Sequence, residues 1–90
     1  MTLRIHPQSD AHGTRLSLSG ELRRAHLVDL RSEIEVWRAT ALDLDEINVA
    51  DIDGIRLLNA CEEQGIQLIN CSPYIREWML HERQALRDDE

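Results

Sequence analysis

Between Ala41 and Leu58 the chain changes its apolar period, and that change restricts the fold more than any other stretch. Leu42 and Leu44 alternate with Asp43 and Asp45, the pattern of a strand buried on one face. A short acidic loop is expected next, with Asp43, Asp45 and Glu46 read as a solvated strand end. Asp51-Ile52-Asp53-Gly54 then opens a helix over 54–64, where Ile55, Leu58 and Cys61 share one side and Leu57 widens it. Gly65 supplies the stop. Carboxylates gathered at a helix start are either capping chemistry or a functional site, and the rest of the chain has to decide between the two.

The flanking segments extend the same alternation of strand and helix. Leu3 and Ile5 alternate with Arg4 and His6 as a weak edge strand that Pro7 is expected to end, and turn formers follow from Gln8 to Gly13. Arg15 to Gly20 alternates cleanly, so it predicts a half-buried strand in a hairpin with the first. From Ala25 to Trp37, Leu27, Leu30, Ile34 and Trp37 paint one face of a helix. Ile66 to Asn70 is a short apolar strand, and Ser72-Pro73 gives a capping residue and a first-turn proline for a third helix. Ile75, Trp78, Met79 and Leu86 make that helix amphipathic, and Arg87 to Glu90 is expected to be a frayed, solvated tail. The order β-β-α-β-α-β-α predicts one α/β domain over residues 1–90, with its core over about 3–80. Its architecture would be a mixed four-stranded sheet with helices packed on it.

Charge and missing residue types narrow the function. Ten basic against seventeen acidic residues give a formal charge of −7, a field that repels phosphate backbones and anionic lipid. Nucleic acid and membrane surfaces are therefore poor partners. All ten basic residues are Arg, so no Schiff-base, phosphate-loop or general-base lysine exists. Met1 to Asp10 holds no apolar run and no stretch approaches membrane-spanning length, which predicts a cytoplasmic chain without membrane insertion. Cys61 and Cys71 read as two reduced thiols on core-facing positions, and the separated His6, His12, His26 and His81 match no zinc spacing. No metal or other cofactor is expected.

The acidic loop supports three readings. As a cap, Asp53 precedes Gly54 and faces the positive end of the helix dipole, worth about 0.3–1 kcal/mol, and Asp51 could cap or brace the turn in the same way. As a calcium loop it fails, because Gly54 at the sharp turn puts Val49 and Ala60 at ligand positions. As a metal-dependent phosphatase, Asp51 would attack phosphorus and Asp53 would act as acid and base. That chemistry needs a cation and further carboxylates on a later strand, whereas no Lys exists and the only later aspartate pair, Asp88-Asp89, lies in the expected tail.

Three pieces in order resemble the STAS domain family of bacterial anti-sigma-factor antagonists. Leu16-Ser17-Leu18-Ser19-Gly20-Glu21-Leu22 is similar to the family's second strand with its glycine. Leu42-Asp43-Leu44 followed by Asp51-x-x-Gly54 is similar to its central strand and Asp-Ser-Ser-Gly loop, and Gly65 to Pro73 to its last strand and following helix. The resemblance spans about residues 3 to 80. It implies a STAS-like fold and a protein-binding module without catalysis, whose partner is an anti-sigma factor that is also a serine kinase. In the family the kinase phosphorylates the second serine of the loop, and the complex then separates. Here the phosphoacceptor position is Asp53 and its neighbour is Ile52, so the loop has no hydroxyl to accept phosphate. An aspartate supplies about one negative charge against about −1.5 to −2 for phosphoserine. The wider family also includes accessory subunits that bind the ATPase of lipid-transporting ABC systems.

The expectation is a regulatory, non-enzymatic module that meets a protein partner through Asp51, Ile52, Asp53, Gly54, Ile55 and Arg56. Apolar anchors inside a charged rim are the usual anatomy of such a surface. A homodimer through Tyr74, Trp78 and Met79 is a further expectation, weighed against packing of that helix on the sheet.

Overall fold

The alternation at Leu16 and Leu18 lies in the middle of a longer strand, and three others join it in one sheet. The computed structural model describes residues 3–88. Strands β1 (Leu3–Asp10) and β2 (Gly13–Leu22) form the expected hairpin, and a single 3₁₀ turn at Arg24–His26 leads into α1 (Leu27–Trp37). Then come β3 (Ala41–Ala50), α2 (Ile52–Glu63), β4 (Gln67–Ile69) and α3 (Pro73–Asp88). The result is an α/β fold with a four-stranded mixed sheet in the order β1-β2-β3-β4. β1 runs antiparallel to β2, while β2, β3 and β4 run parallel.

Because each crossover steps one strand further in the same direction, and crossovers share one hand, the helices fall on one side of the sheet. Leu16, Leu18, Leu42 and Leu44 point to that side and are buried with Leu30, Ile55, Leu58, Ile75 and Met79 in one aliphatic core. The opposite face is open and polar. α3 packs on α2, tied by the buried Asn59 amide, whose Nδ2 donates to the Met79 carbonyl at 3.1 Å. It is tied again by Glu62, which receives hydrogen bonds from Arg76 at 2.9 Å and Arg83 at 2.7 Å. Those guanidinium hydrogen bonds outweigh partial burial and hold the Glu62 carboxyl below its usual range.

Several sequence expectations are corrected. β1 passes through Pro7, which pairs with Leu16, and continues to Asp10. An edge strand accepts a proline because nothing there needs its missing N–H. The acidic loop after Asp45 does not exist: β3 continues to Ala50 and pairs with β2 as far as Leu22. It does so through two irregularities, where β3 carries extra residues between the partners of Ser17 and Ser19 and of Gly20 and Glu21. The first of these shifts the phase of the strand, so Ile47 packs against the core three residues after Leu44.

Trp37, expected on the apolar face of α1, is 41% exposed, and its indole N–H donates to Glu33 at 2.8 Å. It lies in the last helical turn, past the edge of the core, and Arg38 ends the helix in the left-handed conformation at φ 49°. β4 is shorter than expected, with Ile66 buried just before it and Asn70 turning away at φ 56°. Ser72 caps α3 as expected, its Oγ accepting from the Ile75 N–H at 3.2 Å. The expected tail is helical through Asp88, while the side chain of Leu86 and the residues Asp89 and Glu90 lie outside what is described. Among the described residues no helix is long and apolar enough to cross a membrane.

Candidate functional site

β2 and β3 end together at Leu22 and Ala50, and α2 starts at once, so the carboxyl ends of two parallel strands meet a helix N-terminus. Asp51 is the joint. Its N–H donates to the Leu22 carbonyl at 3.1 Å, its Oδ1 accepts from the Gly54 N–H at 2.9 Å, and its Oδ2 accepts from the Arg24 N–H at 2.8 Å. One residue therefore closes the end of β2, the turn before α1 and the first turn of α2. Partial burial pushes the Asp51 carboxyl up. The N–H groups of Arg24 and Gly54, the nearby Arg23 guanidinium and the Asp53 N–H outweigh that and hold it below the ordinary carboxylate range.

The sequence allows either aspartate to cap, and the structure gives that role to the first. Asp51 is the cap, and Asp53 sits within the first helical turn, half-buried, adding charge at the positive end of the helix. Gly54 is buried because α2 approaches the end of β2 closely: a Cβ here would stand 2.5 Å from the Leu22 carbonyl oxygen. Ile55 is fully buried at 0% exposure and belongs to the core, so it offers no contact to a partner. Arg56 is exposed, and its Nε donates to Glu82 on α3 at 3.1 Å.

Of the six residues expected at this surface, Ile52, Asp53 and Arg56 therefore reach it, Asp51 is half-buried as the cap, and Gly54 and Ile55 face inward. Ile52 is 40% exposed, and Val49, one residue before the end of β3, is 41% exposed. Val49 escapes a sequence reading because its segment reads as a loop. The signal for it is an apolar side chain flanking Asp51 on the other side from Ile52. The corner presents Val49 and Ile52, which flank Asp51 in the chain, and Glu21, the register partner of Val49, forms an ion pair with Arg23. That arrangement offers shape and mixed charge to another surface.

The remaining candidates fall elsewhere. Tyr74 and Trp78 stack edge to face with centroids 5.9 Å apart on α3, and Tyr74 is largely exposed. Met79 is buried in the core, so it is not part of any dimer face. Cys61 and Cys71 are free thiols, the first buried and the second half-buried, and burial pushes both above the usual thiol range. Among the described residues no group of three or more His, Cys, Asp or Glu side chains is placed to hold a metal ion. No protein-family model matches the chain, and no curated protein matches it either.

Proposed function

We propose that the chain is a non-catalytic, cytoplasmic protein-binding module of the STAS-like kind, docking through the corner where β3 meets α2. The observation that carries this reading is Ile52, 40% exposed between the cap at Asp51 and the half-buried carboxylate of Asp53. An isoleucine left in water at a helix start, when its neighbour Ile55 is fully buried, suits an apolar anchor for a second protein. The mixed four-stranded sheet with its strand and helix order agrees with the fold that the resemblance implies. Both Asp51 oxygens are occupied by backbone N–H groups, so capping accounts for the residue that a phosphatase would use as its nucleophile. With Asp53 in place of the phosphoacceptor serine, binding to an anti-sigma factor or serine-kinase-like partner is not switched by phosphate at this position.

Calorimetric titration of a purified kinase-type anti-sigma factor tests this. Ile52→Asp weakens binding by at least about tenfold, the loss of an apolar anchor worth about 1.4 kcal/mol. Val36→Asp, at an exposed site on α1, leaves binding unchanged. Equal binding by wild type and Ile52→Asp would move the docking surface away from this corner. With magnesium-ATP and the same kinase, Asp53→Ser takes up phosphate at position 53 and wild type does not. Absence of binding both to that partner and to a transporter ATPase would end the STAS-like reading of function.

A further inference from the structure

The open face of the sheet carries a second arrangement, separate from the α2 corner. Strand register sets its side chains in rows: Arg4 beside Ser19 beside Glu46, and His6 beside Ser17 beside Asp43. The middle strand contributes the short Ser17 and Ser19 with Leu18 between them, and the face dips along β2 into a trough of about 310 Å³. β1 forms one wall with Arg4 and His6, and β3 forms the other with Asp43, Asp45 and Glu46.

The walls do not satisfy each other. Strands two places apart are separated by roughly 10 Å, and among the described residues no ion pair joins β1 to β3. The bulge opposite Leu18 crowds the acidic wall further, because β3 offers Asp43, Leu44, Asp45 and Glu46 against Ser17, Leu18 and Ser19. Asp45 and Glu46 are both exposed as a result. Asp43 is fixed by the Asn70 amide at 3.1 Å and the Asp45 N–H at 3.1 Å, which orients one oxygen and leaves the carboxylate at the trough. No described helix covers this face, and the serine hydroxyls line its floor.

A ligand that complements both walls carries a cation at one end and an anion at the other. We propose that the trough binds a small zwitterion of the ω-amino-acid class, its ammonium group against the β3 carboxylates and its carboxylate against Arg4. Ser17 and Ser19 donate or accept hydrogen bonds along its length. A ligand with a single charge gains one wall only, and a multiply charged anion is repelled by β3.

Titration of the ¹⁵N-labelled protein with 4-aminobutyrate, butyrate and butylamine decides it. The zwitterion produces saturable shifts at the amides of Ser17, Ser19 and Glu46 and binds at least about fivefold more tightly than either singly charged analogue. The Ile52 amide does not move, which separates this site from the docking corner. Arg4→Gln and Glu46→Gln, both at exposed positions, each remove the preference while the remaining spectrum stays that of the wild type. Equal binding of the three compounds, shifts centred away from β2, or no shift at tens of millimolar ligand would each overturn the proposal. If one variant fails to fold, the ranking of the three ligands on wild type still supports or overturns it.

Discussion

Asp51 joins three chain segments with one side chain, and its charge matters to that joint. Replacing it with Asn keeps one capping oxygen but sets an NH₂ group against the Arg24 N–H. Asp51→Asn is therefore expected to cost about 1–2 kcal/mol near neutral pH. Because the folded state holds the Asp51 carboxyl below the ordinary value of 3.8, this contribution is complete above that value. It disappears as the pH falls through the depressed folded pKa, so the wild-type and variant stabilities converge in acid. Urea denaturation followed across that range reads the convergence directly, and a gap that persists at the acid end would show that charge is not the cause. At this scale the sequence is only half legible. Asp-Ile-Asp-Gly presents two carboxylates near one helix start, and which of them caps depends on where the first helical turn begins. That point is set by how far β3 stays paired with β2, a tertiary fact that local composition does not contain.

Among the elements, α2 shows most clearly how packing dictates a residue. Its first turn lies so close to the end of β2 that a methyl group at position 54 meets a backbone carbonyl, which has no rotamer by which to yield. Gly54→Ala is expected to destabilise by about 2–3 kcal/mol despite the better helix propensity of alanine, a loss that thermal or urea unfolding measures. Gly65→Ala meets no neighbouring atom and suffers only from its φ of +90°. The helices are readable because Leu27 with Leu30, and Ile55 with Leu58, repeat at helical spacing on faces that are indeed buried. The second half of β3 is not, since its two bulges break the alternation after Leu44 and make one continuous strand look like a short strand and a loop. Trp37 is misplaced for a different reason: periodicity assigns a face but does not say where the core stops along the helix axis.

For the molecule as a whole, the sheet order and the one-sided helix layer predict where stability is concentrated. The leucines of β2 and β3 are sealed between neighbouring strands and α2, whereas α3 leaves Tyr74 and Leu80 in water and is linked to α2 partly through exposed ion pairs. Hydrogen exchange is expected to be slowest at Leu16, Leu18, Leu42 and Leu44, and at least about tenfold faster along α3 from Arg76 to Leu80. Matching protection in α3 and in the central strands would instead make the molecule a single cooperative unit. The order of strands and helices is legible end to end because periods alternate cleanly through most of the chain. The polar open face is not, since it emerges from register between residues far apart in sequence.

Pro7 sits in the middle of β1, the only long strand among the described residues with an unoccupied flank. A β-segment arriving there from a neighbouring molecule would lose one rung of its ladder at the proline, and the flank on the far side, β4, is only three residues long. Both margins of the sheet are thus poor templates for strand-by-strand fibre growth, a safeguard for a chain whose inner strands are so rich in leucine.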